Sequence, residues 1–298
     1  MTTESVASGA RIIDRGYQHY AGPRHGVGAS LVAIAAGTMK RSLGFKRPTT
    51  AKILPFAIVL LAMAPALIAL GVRMIFPVND FRGRALDNLV PYTNYLSLLS
   101  TELLLMTALS APEALCPDRR QRVLSLYYAS PVRPLLYLLA QAVAVAIVML
   151  LITLVPLLFL WSGNVLLADS PGAYLKDHVH DALSILGAGF LLAGFYAGVG
   201  LAVSSLTERR AYAAGSIIGG AFILAAITSI VRERVHASWA PYAVLLDPIN
   251  LPRRAMRWIF GRPDLGIGIH NWVYVAAMLV ITLLAFGLVV RAYRSLDF

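Results

Sequence analysis

From Leu135 to Trp161 the chain reads LLYLLAQAVAVAIVMLLITLVPLLFLW, with no aspartate, glutamate, lysine or arginine. A helix needs about 20 largely apolar residues to cross the hydrocarbon of a bilayer. This run is long enough, and Pro156 inside it predicts a kink. Working outward, five further segments meet the same criterion: about Ile53 to Phe76, Leu89 to Pro112, Ala182 to Leu206, Ala211 to Val231 and Trp272 to Val290. The expected fold is therefore all-α, integral to a membrane, with six spans.

Composition agrees. Of 298 residues, 58% are hydrophobic and 14% charged, with a mean hydropathy of +0.70; soluble domains run about 45–50% apolar and about 25% charged. The net charge of +11 does not argue for nucleic acid, because the basic residues sit beside the apolar runs. There they anchor to anionic headgroups and orient loops. The single Cys116 excludes an intramolecular disulfide. Residues 1–27 carry Glu4, Arg11, Asp14, Arg15 and Arg24 with no apolar core, so they read as a polar tail and not as a cleavable signal. Residues 28–298 read as one transmembrane domain.

Two segments outside the spans have their own pattern. In Gly28 to Phe45, Leu31, Ile34, Ala35 and Met39 recur at helical spacing ahead of Lys40, Arg41, Lys46 and Arg47, which suits a helix lying in the headgroup layer. Between Arg232 and Ile269, two short amphipathic stretches flank Asp247-Pro248. Each is too short to cross, so a hairpin that dips into the membrane and returns is expected before the last span.

A cytoplasmic N-terminus is the expected orientation, since the first span dominates most topologies and the bias of lysine and arginine over the short loops agrees with it. The short inner flanks then hold Lys40, Arg41, Lys52, Arg119, Arg120, Arg122, Arg133, Arg209, Arg210, Arg291 and Arg294. Six arginines between Arg232 and Arg262 run against that bias.

The segment between the second and third spans, Pro117 to Ser130, reads as a short amphipathic helix. Pro117 suits a first helical position, Asp118 the first turn, and Asp118 with Arg122 an i, i+4 pair. Val123, Leu126 and Tyr127 share one face, with Leu124 and Tyr128 beside it. Ser130, ahead of Pro131, should end the helix. By its residues alone, such a helix either rests on headgroups or docks into a groove on a soluble partner.

The pattern Asp118-Arg119-Arg120, Val123-Leu124, Leu126, Ala129-Ser130-Pro131-Val132 and Tyr137-Leu138-Leu139 resembles that of type-2 (ABC-2) ABC transporter permeases. An interfacial helix, six spans and an external re-entrant hairpin agree with it from about Gly28 onward. Cys116-Pro117 and Gln121 depart from the family's pattern and leave the helix start open. The resemblance implies a non-catalytic permease subunit of an exporter in the cytoplasmic membrane, with both termini inside. Two permease chains, identical or related, would sit on two separate ATPase subunits. The Pro117 to Ser130 segment would be the coupling helix, with Asp118, Arg119, Arg120, Arg122, Val123, Leu124, Leu126, Tyr127 and Tyr128 meeting the ATPase. The chain contains no Gly-x-x-x-x-Gly-Lys-Ser/Thr loop, so ATP and Mg would be held by the partner.

Four other features carry expectations. Glu102, mid-span, carries an insertion penalty of about 2.5–3.5 kcal/mol, which leucines in the same span offset at about 0.3–0.6 each. It is expected to face the bundle interior, either touching cargo or a proton or bonding to another span. Gly194 with Gly198, and Gly215 with Gly219, place small residues on one helix face for close packing; by family analogy Gly215 and Gly219 would meet the second permease. Asp177-His178-Val179-His180-Asp181 reads as a polar cap at the outer end of the fourth span rather than a metal site. No nucleophile–base motif emerges. An ion-coupled transporter or an intramembrane lipid-modifying enzyme are the other classes considered. A wide apolar interior points to hydrophobic or amphipathic cargo.

Overall fold

The computed structural model describes residues 26–45, 49–75, 92–122, 133–168, 170–235, 237–261 and 269–294. All the regular structure among them is helical: α1 (Val27–Ser42), α2 (Thr49–Ile75), α3 (Tyr92–Arg120), α4 (Pro134–Leu166), α5 (Pro171–Asp177), α6 (Val179–Ser204), α7 (Arg210–Arg234), a 3-10 turn (Ala240–Leu246), α8 (Asn250–Ile259) and α9 (Trp272–Arg294). Six of these (α2, α3, α4, α6, α7 and α9) are long and apolar enough to cross a membrane. They follow the six predicted runs in order.

The bundle is built around α3 and α6. α6 packs on α3, α4 and α9; α3 also touches α1, α2, α4, α7 and α8. Leu96, Leu99, Leu103, Met106, Leu115, Leu192 and Phe195 fill the interior. The outward faces of α2 and α7 are apolar and exposed, with Leu60, Ile68, Phe222, Ile223 and Ile230 among their outer residues. In lipid this is the expected polarity, because apolar solvation gives no drive to bury those side chains.

Helix association there depends on close backbone approach. The predicted Gly194 and Gly198 provide one: a Cβ on Gly198 would lie 3.5 Å from the backbone oxygen of Thr282 on α9. Gly200, two residues on and facing another neighbour, lies tighter still against Thr107 and Ala111 of α3.

The second span differs from its predicted limits. The expected break near Pro112 and the helix start at Pro117 do not occur; α3 runs through both prolines to Arg120, and Gln121 N still donates to Pro117 O at 2.9 Å. A proline removes one donor and frees one carbonyl, a loss that membrane helices absorb through their neighbours. Here, packing and buried polar contacts along the last turns of α3 outweigh it. The short α5, opened by Pro171, was also not anticipated.

Between α7 and α9 lie two short elements, the 3-10 turn and α8, and the turn between them is built by Asp247. Asp247 is 1% exposed. Its Oδ1 accepts from the backbone N–H groups of Ile249 and Asn250, both at 2.9 Å, and its Oδ2 from the hydroxyl of Thr228 on α7 at 3.0 Å. One carboxylate thus satisfies the orphan donors at the start of α8 and fastens the hairpin to α7. Tyr196 of α6 donates to Pro248 O at 3.3 Å and to Ser100 O at 3.0 Å. Arg253 of α8 donates to Thr101 of α3 at 3.0 Å.

Candidate functional site

At the end of the bundle opposite Asp247, the last turns of α3 meet α1, the first turns of α4 and the joint between α6 and α7. Asp118 sits at the centre, 2% exposed. Its Oδ1 accepts from Arg41 Nη1 of α1 at 3.1 Å. Its Oδ2 accepts from the Tyr137 hydroxyl at 2.7 Å and from Gln141 Nε2 at 3.4 Å, both on α4. Gln141 Oε1 accepts from the Thr38 hydroxyl at 2.7 Å, and Thr38 Oγ1 accepts from Arg41 Nη2 at 3.0 Å. Four side chains from three helices therefore close a ring, and Tyr137 joins it at Asp118. A buried carboxylate is tolerable only when paired and fully hydrogen-bonded, and this one is.

The neighbouring residues of α3 reach the other way. Arg119 donates to the Ser205 carbonyl at the end of α6, which would otherwise lack a donor, and its guanidinium lies 5.9 Å from the Tyr293 ring of α9. The Cys116 thiol points at Thr207 O, 3.4 Å away. Glu113 accepts from Arg210 of α7 at 2.8 Å. The last two turns of α3 are thus bonded to α1, α4, α6, α7 and α9.

This rearranges the residues expected to face a partner. Asp118 and Arg119 are turned into the bundle and bond within the chain, while Arg120 at the helix end is exposed. The expected pairing of Asp118 with Arg122 gives way to the pairing with Arg41. Arg122 lies past the helix end in left-handed backbone, φ 55°. Arg120, Gln121 and Arg122 are exposed. Val123, Leu124, Leu126, Tyr127 and Tyr128 lie outside the described residues, as do Ala129–Val132. Thr38, Arg41, Tyr137 and Gln141 were not singled out as site residues. Gln141 was the available signal, a lone polar side chain inside an apolar run.

Glu102 lies farther along α3, 7% exposed, and among the described residues its Oε2 has no hydrogen-bond partner. The two threonines expected nearby are otherwise engaged. Thr101 accepts from Arg253, and Thr107 donates to Leu103 O at 2.7 Å.

Gly215 and Gly219 are open, with nothing within 4 Å of an added Cβ. At the predicted polar cap, the His178 ring stacks on Tyr174 at 3.9 Å. Among the described residues, no three potential ligands cluster for a metal there or elsewhere.

Residues 84–290 match the family model of ABC-2 family transporter proteins. The chain belongs to this family. The matched stretch holds five of the six candidate spans and the whole polar end of α3; α1, which precedes it, brings Arg41 and Thr38 to the ABC-2 permease's ring. No curated protein matches the chain significantly. The ABC-2 permease is a multi-pass membrane protein by its helices and family alike, and membership implies work with ABC ATPase subunits.

Proposed function

We propose that this chain is the membrane-spanning subunit of an ATP-driven exporter in the cytoplasmic membrane. It would move a hydrophobic or amphipathic compound, of drug, lipid or glycolipid type. Two separate ATPase subunits would bind ATP and Mg and dock on the link between α3 and α4, with both termini of the permease on their side. A second permease, identical or related, would complete the pathway along the open face carrying Gly215 and Gly219. α1 would lie in the headgroup layer, and the 3-10 turn with α8 would form a re-entrant hairpin on the far side.

The observation that carries this reading is the Asp118 ring. It binds the start of the α3–α4 link to α1 and α4, and Arg119 binds it to α6. A push on that link is delivered into several helices at once, as a coupling element requires. Arg120 and Arg122, exposed at the helix end, supply positive charge for an acidic rim.

Leu124→Glu and Tyr127→Glu test the docking surface. Both should lose copurification with the ATPase and its stimulation, while the permease keeps its thermal midpoint. Normal copurification and transport in both variants would sink the reading.

Glu102 is the candidate contact for cargo or a proton. No fold contact uses its Oε2, so Glu102→Gln should leave the thermal midpoint unchanged or raise it. The pH profile of transport should change. A fall in stability with an unaltered profile would assign Glu102 to structure.

A further inference from the structure

An apolar crevice of about 270 Å³ opens between α2 and α4 beside the C-terminal end of α1. Every side chain lining it is apolar. Phe45 and Phe56 meet edge to face at its α1 end, ring centroids 6.1 Å apart. Phe45, Phe56, Leu151 and Val155 are exposed as well as lining it, so the crevice opens sideways onto whatever surrounds α2 and α4. In a membrane that is hydrocarbon. Its volume falls just below the roughly 300–1,000 Å³ of sites that enclose drug-sized ligands, and suits a single chain better than a compact molecule.

The charge at that end is one-sided. Lys40 stands three residues before Leu43 on α1, and Lys52 three and four before Pro55 and Phe56 on α2. On a helix those spacings share a face, so both lysines stand on helix faces that also carry residues lining the crevice. Neither forms an ion pair among the described residues, whereas Arg41 is held by Asp118. The sequence between them adds Lys46 and Arg47 and no acid. Long side chains of this kind place the charge at headgroup level while their stems lie along apolar surface.

We propose that this crevice binds one anionic glycerophospholipid, an acyl chain between α2 and α4 and the phosphate at Lys40 and Lys52. The lipid is a resident ligand that wedges α1 against the first span. The proposal rests on the helices spanning a membrane and is independent of the ATPase reading.

Native mass spectrometry of the full-length chain, released from nanodiscs of equal phosphatidylcholine and phosphatidylglycerol, tests it. One lipid per chain should be retained, with phosphatidylglycerol favoured by about thirtyfold, roughly fivefold for each lysine. Lys40→Gln with Lys52→Gln should bring the two lipids to near parity while a lipid stays bound. Val155→Trp, which fills the crevice from an exposed position, should remove the bound lipid of both kinds. Both variants should keep the wild-type thermal midpoint in phosphatidylcholine alone. Retention of no lipid, no preference in the wild type, a preference that survives loss of both lysines, or an unaffected lipid in Val155→Trp would each overturn it. So would a second permease chain or a non-phospholipid compound found in its place.

Discussion

Asp118→Ala should lower the stability of the permease by about 2–3 kcal/mol, read as a fall in thermal midpoint of the detergent-purified chain. Breaking a fully buried ion pair typically costs about 3–5 kcal/mol, because the remaining charge is left uncompensated. Arg41 retains 30% exposure, so part of its charge regains solvent and the effect falls below that range. The Tyr137 hydroxyl and the Gln141 amide lose an acceptor in the same change. Asp118→Asn keeps the shape and one acceptor oxygen, and should recover about half of the loss. Arg41→Ala combined with Asp118→Ala should cost clearly less than the sum of the two, as a shared network requires. Additive losses, or an unchanged midpoint in Asp118→Ala, would show that the ring does not hold this end together. Arg120→Glu is the contrast. Arg120 is exposed, so its change should weaken ATPase copurification at an unaltered midpoint.

That contrast marks where local sequence stops being informative. Periodicity and apolar length show which runs can span, and each of the six coincides with a helix long and apolar enough to cross a membrane. The second span was misplaced at its far end for a definite reason. Pro112, Glu113, Pro117 and Asp118 look like the start of a loop, since a proline and a charge normally mark the end of an apolar helix. Their partners are distant in the chain: Arg41 lies 77 residues from Asp118, and Arg210 lies 97 from Glu113. No window of sequence holds both members of either pair. The bonds that Asp118 and Arg119 make within the chain are hidden from the sequence on the same ground. An Asp-Arg-Arg triplet looks solvated until something pairs with it, and only the packed bundle shows that two of the three are occupied within the chain. The Asp247-Pro248 turn was legible because its chemistry is local; Asp247 bonds to N–H groups two and three residues on. Glu102 was legible as an anomaly, a carboxylate inside an apolar span, and among the described residues its Oε2 meets no polar partner.

Gly200→Val should be the more damaging of two substitutions at the crossing of α6 and α3. An alanine Cβ there would press on the Thr107 methyl and lie 2.8 Å from the Ala111 Cβ. The threonine could rotate its methyl away only by disturbing the hydroxyl that donates to Leu103 O, and the alanine Cβ cannot move without its backbone. Both belong to α3, so relief means separating two of the most buried helices. Overpacking of this kind costs about 1–3 kcal/mol. Gly200→Ala should fall near the lower end, and Gly200→Val, with two further methyls and a stiff χ1, at or above the upper end. Thr107→Ser removes the methyl that lies closest while keeping the hydroxyl, and should restore part of the midpoint lost in Gly200→Ala. Gly215→Ala and Gly219→Ala, where nothing lies within 4 Å, should leave the midpoint of the isolated chain unchanged. A Gly200→Ala protein as stable as the wild type would mean that α6 and α3 can part without penalty. The last turns of α3 could then not transmit a push across this crossing, and the coupling proposed through Asp118 and Arg119 would have to run through α1 and α4 alone.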